Sequence, residues 1–403
     1  MTASLPPLDE NLEQSRALFF EGVAHFEQRQ FEEACRCFEQ ALTLAPDRPS
    51  IVGNLGITLF HLQRLPEAIP LLMQATTADP NHVEAWVCLG VAHEARGASM
   101  EMVDALSQAT RLAPQPASLW LTLGMGHLRL GQVREALESF DRAIEVDPTF
   151  VPAWSERGSL LRELNRLDES ATCFEKVLEL GGDAELNRYY LAAVCSGPVP
   201  DGPPRRYVEA LFDDYARDFE SHLVGQLGYR AHEILLAPLL ESGRRFRHVI
   251  DLGCGTGLCG QIIAPVADRI DGIDLSSAMI AESRRSGVYH DLIYADIGEF
   301  LANAPQQADL VLAADVFIYV GELLGPLTSL RRILLPDGWL AFTIEPTTNG
   351  SELQLLPSLR YAHSEAYVRR VAAESGFRIV DMRERPLRYD QKTPVHGLYF
   401  YLV

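Results

Sequence analysis

The amino-acid sequence predicts two parts of different fold class: an all-α helical solenoid through residue 195, and an α/β domain built on a largely parallel sheet from residue 207 onward. Three observations predict this. Prolines 46, 80, 114 and 148 recur at a fixed step of 34 residues. A Pro/Gly-rich stretch, residues 196–204, then interrupts the chain. Beyond it, short apolar runs that end in acids alternate with helical spacing, beginning with His248-Val-Ile-Asp-Leu-Gly-Cys-Gly-Thr-Gly257.

Length and composition agree with two units. The 403 residues exceed one ordinary core. With 47% hydrophobic and 22% charged residues, the chain has the apolar material to fold. Its net charge of −20 is spread along it, with 28 acids against 15 Lys and Arg in residues 1–200 and 27 against 20 in residues 201–403. Nucleic-acid affinity comes largely from cations that neutralise phosphates, so this balance argues against such a partner. Arg205, Arg206, Arg244, Arg245 and Arg247 flank the junction, either as an anion site or as solvated surface charge. The first residues lack a basic segment followed by an apolar run, and no stretch of about 18 apolar residues occurs. A cytoplasmic protein with no membrane partner is expected. The seven cysteines lack paired spacing, so neither a disulfide framework nor a metal site is indicated, and they read as small buried apolar residues.

In the first part, Gly22, Gly56, Gly90, Gly124 and Gly158 share the 34-residue step, as do Ala41, Ala75, Ala109 and Ala143. Glycine in a first helix admits a close partner, small Ala34, Ala68 and Ala136 face it from a second, and proline ends the pair. Trp86, Trp120 and Trp154, with Phe38, Leu72, Leu106, Phe140 and Phe174, are expected in the core slots. On these residues the segment 15–182 resembles the tetratricopeptide (TPR) repeat family, with about five repeats. It departs from the pattern at Met102 and Ser170, where the second-helix alanine is missing, and at Gly182, which replaces the last proline. Residues 185–195 are expected to form a helix that caps the stack. The resemblance implies a groove that binds a protein or peptide segment; an oligomerisation or intramolecular scaffold is the alternative.

Residues 196–206 read as a linker. A leader helix over 207–222 follows, apolar at 207, 208, 211, 212, 215 and 219. Its stripe would pack on the next domain, but the wording LFDDYARDFESHL resembles the leader of bacterial TPR-containing methyltransferases, in which that segment lies over a cofactor cleft. Tyr215, Phe219 and His222 are therefore candidates for closing a site.

The second part reads as strand, glycine turn and helix. A strand ends at Asp251, and Gly253, Gly255 and Gly257 permit a left-handed turn with no side chain between backbone and ligand. A second strand, 269–273, ends at Asp274; a third, 292–295, at Asp296; a fourth, 309–314, at Asp315. Residues 334–345 supply a turn and a fifth strand, and the runs 377–384 and 398–403 suit an antiparallel edge hairpin. The acid at the second strand tip suits ribose hydroxyls, as in Rossmann-type nucleotide sites.

The whole series over residues 207–403 resembles the class I S-adenosylmethionine-dependent methyltransferases, a Rossmann-like fold whose seven-stranded sheet ends in an antiparallel hairpin. The resemblance implies S-adenosylmethionine as cofactor. Its methionine end would lie at Asp251, Gly253, Cys254, Gly255, Thr256 and Gly257. The ribose would lie at Asp274, the adenine at Asp296 and Ile297, and the methyl group near Asp315, with Leu275, Met279 and Tyr215 also among the cofactor-binding residues. The spacing Gly255-x-Gly-x-x-Gly260 also fits a dinucleotide turn formally, but two residues would separate the strand from its first glycine.

A sulfonium methyl is already activated, so the protein has to align a nucleophile and exclude water, and a base is needed only for a protonated acceptor. Candidate bases are His363, in the segment 346–363 expected to border the acceptor pocket, and His222 in the leader, with His396 entering the last strand. The acceptor, a small molecule or a carrier-bound or protein group, is not legible. A scaffold that binds the cofactor without turnover is the alternative from another class, and a dinucleotide-dependent oxidoreductase is the third reading.

Overall fold

The computed structural model describes residues 10–46, 48–216, 225, 228–305, 307–390 and 393–403, with the side chains of residues 214, 215, 390 and 393 outside the described set. The chain divides into two compact units, Met1–Leu160 and Leu161–Val403. Among the described residues no helix is long and apolar enough to cross a membrane.

The first unit is a run of helix pairs: α1 (Glu10–Glu27) with α2 (Phe31–Leu44), α3 (Pro49–His61) with α4 (Leu65–Ala78), α5 (Val83–Ala95) with α6 (Ser99–Leu112), and α7 (Ala117–Arg129) with α8 (Val133–Val146). Helix α9 (Val151–Glu163) begins in this unit and ends in the next. The periodic glycines work by closeness. A Cβ on Gly22, Gly90 or Gly124 would stand 2.7, 2.5 and 2.5 Å from the side chains of Phe38, Leu106 and Phe140, each of which is fully buried. The tryptophans differ from the core role expected of them. Trp86, Trp120 and Trp154 are only half-buried, because each indole N–H donates to the carbonyl of Pro80, Pro114 or Pro148, at 3.0, 2.8 and 3.0 Å. The indole must reach the loop, so it straddles core and surface. All seven cysteines are free, and Cys195 is exposed rather than buried.

The second unit opens with α10 (Leu167–Glu179), α11 (Ala184–Val194) and α12 (Arg205–Tyr215), followed by α13 (Ala231–Glu241). An alternating series follows: β1 (Val249–Leu252), α14 (Leu258–Ile263), β2 (Ile270–Asp274), α15 (Ser277–Ser286), β3 (Asp291–Tyr294), α16 (Ile297–Asn303), β4 (Ala308–Ala313), α17 (Leu324–Ile333) and β5 (Leu334–Ile344). A short hairpin, β6 (Leu353–Leu355) and β7 (Tyr361–His363), precedes α18 (Glu365–Glu374), β8 (Ile379–Asp390) and β9 (Thr393–Leu402).

One seven-stranded sheet results, in the order β3-β2-β1-β4-β5-β9-β8. Strands β1 to β5 pair in parallel, β9 runs antiparallel to β5, and β8 antiparallel to β9. Both faces are covered, and successive side chains serve opposite layers. Leu310, Leu312, Tyr399 and Tyr401 join the core under α13, whereas Val311, Ala313, Phe400 and Leu402 join the core that includes Leu327 and Val371. The edge hairpin is longer than expected from 377–384 and 398–403, because its outer half, Arg385–Asp390 with Thr393–Gly397, pairs only with itself and lacks an apolar alternation to signal it.

Candidate functional site

The parallel strands end on one side of the sheet, and the loops there enclose a cavity of about 750 Å³. Open α/β sheets place ligand sites outside the carboxyl ends of their strands, next to the point where strand order reverses, here between β1 and β4.

After β1 the chain turns through three left-handed glycines, Gly253 (φ +59°), Gly255 (+54°) and Gly257 (+96°), into α14. A Cβ on Gly253 would stand 2.6 Å from Val316. At Gly255 nothing lies within 4 Å of that position, so any side chain would project into the open space of the cavity. Asp274, at the tip of β2, is 8% exposed and faces the cavity. Its Oδ2 accepts the Gly255 N–H and its Oδ1 the Ser276 N–H, both at 2.8 Å, which fixes the carboxylate while leaving lone pairs on each oxygen. Burial pushes its pKa above the usual carboxylate value. Leu275, Met279, Asp296, Ile297 and Asp315 line the same cavity. Asp296 caps α16 by accepting the Glu299 N–H.

Other expected residues stand behind this surface. Asp251 is 1% exposed and does not line the cavity; its Oδ2 accepts the Tyr289 hydroxyl at 2.6 Å, in a slot where a Cβ on Gly260 would stand 2.4 Å from that hydroxyl. Burial raises the pKa of Asp251 to about 7. The carboxyl group is thus held behind the glycine turn by the Tyr289 hydroxyl. Cys254, Thr256 and Gly257 also stay outside the cavity lining, and Thr256 Oγ1 has no hydrogen-bond partner among the described residues. His363, expected to border the acceptor pocket, is fully buried in β7 and absent from the lining. Its Nε2 donates to the Gly321 carbonyl at 2.8 Å, and burial drives its pKa down to about 4, which favours the neutral ring. The Tyr215 side chain and His222 lie outside the described residues.

Sequence reasoning missed much of the wall. The stretch that reads as a linker reaches the site: Asp201, Gly202 and Pro203 line the cavity, and the Asp201 carbonyl accepts the Gly321 N–H at 2.9 Å. Helix α12 covers the opening with Val208, Leu211 and Phe212. Polar contacts tie it down. Asp213 accepts the Ser276 hydroxyl at 2.5 Å, Glu209 the Tyr294 hydroxyl at 3.0 Å, and Arg205 donates to Glu299 at 3.2 Å. Of the arginines near the junction, Arg205, Arg206, Arg245 and Arg247 pair with acids, and Arg205 also lines the cavity.

At the β4 end, Asp315 adopts a left-handed backbone (φ +57°), and its N–H donates to Thr343 Oγ1 at 2.8 Å. Arg388 is 7% exposed and donates to Asp315 Oδ2 at 3.4 Å and to Glu345 Oε1; Arg360 reaches the same Glu345 oxygen at 3.3 Å. Burial raises the pKa of Asp315 to about 6, opposed by the Arg388 charge. Glu345 ends the segment that reads as the fifth strand. Its arginine partners were not legible.

Comparison with known proteins agrees with this geometry. Residues 250–340 match a family described as a methyltransferase domain, and residues 15–48 and 121–185 match tetratricopeptide repeat families. The malonyl-[acyl-carrier protein] O-methyltransferase of Enterobacter lignolyticus is 31% identical over 183 residues, covering 43% of this chain and 68% of that protein. The trans-aconitate 2-methyltransferase of Paracidovorax citrulli is 30% identical over 151 residues, covering 37% of this chain and 52% of the relative. The crystal structure of magnesium protoporphyrin IX methyltransferase from Synechocystis, with bound SAH, aligns at 19% identity and a TM-score of 0.40 over 49% of this chain and 98% of that one. Curated relatives are thus spanned over about half to two thirds of their length. With an acid-tipped, glycine-turned parallel sheet and a relative matched at this level, the chain belongs to the class I S-adenosylmethionine-dependent methyltransferases, with tetratricopeptide repeats ahead of the methyltransferase domain.

Proposed function

We propose that this methyltransferase acts on a small-molecule or carrier-bound acceptor selected with the help of the repeat array, which holds a protein or peptide segment. S-adenosylmethionine supplies a methyl group already activated on a sulfonium centre. Asp274 accepts the ribose hydroxyls with the lone pairs that its two N–H bonds leave over. Asp296 receives the adenine amino group, with Ile297 and Met279 against the ring, and the Gly253 and Gly255 backbone approaches the methionine portion. Asp315 stands at the methyl end. Helix α12 and residues 201–203 exclude water.

The observation that carries this reading is the gathering of Gly253, Gly255, Asp274 and Asp296 from three successive strand ends around one cavity of about 750 Å³. That volume lies in the range of ~300–1,000 Å³ usual for small-molecule sites. Relatives named for a carrier-bound acceptor and for a free small molecule are consistent with either kind here. Seven free cysteines suit a reducing compartment such as the cytoplasm.

Calorimetry with S-adenosylmethionine and S-adenosylhomocysteine tests the cofactor site, and transfer of labelled methyl to components of a cell extract tests turnover. Binding without transfer would favour a scaffold. Labelling unchanged in a chain shortened to residues 149–403, which keeps α9 whole, would refute selection by the array.

A further inference from the structure

We propose that the acceptor carries a carboxylate, received by an anion subsite that Arg360 and Arg388 form at the β4/β5 end of the cavity. The inference rests on the reading above, in which the β1 to β3 end holds the cofactor.

Both arginines line the cavity, and they arrive there by separate devices. Arg388 lies on β8 just past a register shift at Pro386, which leaves Leu387 and Arg388 both buried, at 0% and 7% exposure. A strand irregularity of this kind re-aims a side chain that regular alternation would send outward. Arg360 follows Leu359, whose left-handed backbone (φ +64°) turns the β6–β7 loop toward the site.

Two arginines carry five N–H donors each. Among the described residues their side chains make three hydrogen bonds, two of them to the same Glu345 oxygen. The cavity wall also includes Phe317, Ile318, Tyr319 and Val320. Forked donors in such surroundings match a planar two-oxygen anion, and a charge-assisted pair is strong where water is excluded. A doubly charged phosphate would face stronger repulsion from Asp315 and Glu345 than a single carboxylate does.

The acid–base inventory points the same way. Among the described residues, the titratable side chains lining the cavity are arginines, the acids Asp201, Asp274, Asp296 and Asp315, and the phenols Tyr229 and Tyr319, and the Asp315 oxygens are engaged by Thr343 and Arg388. A carboxylate needs no base, because it is already ionised at neutral pH. A new C–O bond forms as the S–CH₃ bond breaks, and that bond's electron pair stays on sulfur. The carboxylate becomes a neutral ester, the sulfonium a neutral thioether, and no proton moves. Opposite charges thus cancel in an apolar site, and the ester loses the charge by which the arginines held its precursor.

The test is calorimetry on the full-length protein saturated with S-adenosylhomocysteine, titrated with mono-, di- and tricarboxylic acids, their amides, and inorganic phosphate. At least one acid binds, and its amide binds about tenfold or more weakly. Arg360→Gln weakens the acid by about tenfold or more and leaves S-adenosylhomocysteine affinity unchanged. Arg388→Lys keeps the charge but loses the fork, and weakens the acid in a protein that thermal unfolding shows to be folded. The proposal is overturned if no acid binds, if amide or phosphate binds as well as the acid, or if Arg360→Gln binds the acid like the parent. Failure of the parent protein to bind S-adenosylhomocysteine would instead overturn the cofactor reading.

Discussion

The Tyr189 hydroxyl donates to the Leu359 carbonyl at 2.8 Å, joining helix α11 to the loop between β6 and β7 across 170 residues of sequence. Arg162, on α9, donates to the Pro357 carbonyl of the same loop. Around this bond Tyr189 and Tyr361 pack with Leu355 and Leu359, with Tyr207 and Val199 at the margin. The helices that the repeat pattern assigns to the end of the array therefore brace the loop that carries Arg360.

Tyr189→Phe removes the donor and leaves a buried carbonyl without its partner, at a cost of about 1–3 kcal/mol. Chemical denaturation followed through the sheet unit should show that loss. Calorimetry should show weaker acceptor binding with cofactor affinity intact; unaltered values of both stability and acceptor affinity would contradict the bracing role.

Asp274→Asn replaces one accepting oxygen with an amide that confronts either the Gly255 or the Ser276 N–H. The turn then loses a bond and the ribose site an acceptor. We expect S-adenosylhomocysteine affinity to fall by about tenfold or more, measured by calorimetry at pH 7.

His363 gives a pH signature with a definite sign. Burial lowers its pKa to about 4 from an ordinary 6.5, so the unfolded chain binds the proton more readily than the folded one. Its neutral form contributes fully above pH 6.5, and stability is lost as pH falls from there toward 4, by at most about 3 kcal/mol. Asp315 and Asp251, raised by burial, have the opposite slope, so the quantity to measure is the difference between parent and His363→Gln. The two stability curves, from urea unfolding at a series of pH values, should converge as acidity increases. Parallel curves would show that the ring does not titrate there.

In the first unit, Gly124→Ala would put a Cβ 2.5 Å from the Phe140 ring, which is fully buried. Helices α7 and α8 must separate or Phe140 must leave its rotamer, at a cost of about 1–3 kcal/mol. Phe140→Leu in the same chain should recover part of that loss in a denaturation series.

Much of this architecture was legible, and the reasons are local. A 34-residue period reports a stacked unit because each pair must repeat the same close approach, as Gly22 to Phe38 and Gly124 to Phe140 do. Asp274, Asp296 and Asp315 were readable because each follows a short apolar run, which fixes both strand and tip. What escaped depends on contacts between distant segments. Arg388 lies beyond the run 377–384 that reads as a strand, and the register shift at Pro386 is what leaves it buried. Asp213 reads as the wet side of a helix until Ser276 supplies its donor. Asp251 carries the same local pattern as Asp274, and only the placement of Tyr289 separates their surroundings.

The docking of residues 201–203 against Gly321 has a practical corollary for anyone dissecting this enzyme. Composition invites a protease site or a truncation at the proline-rich stretch, yet scission there would strip Tyr189 from Tyr361 and Leu355 and wet an aromatic face that is dry in the intact chain. Fragments begun at that point should clump, whereas a cut near residue 150 leaves the face clothed.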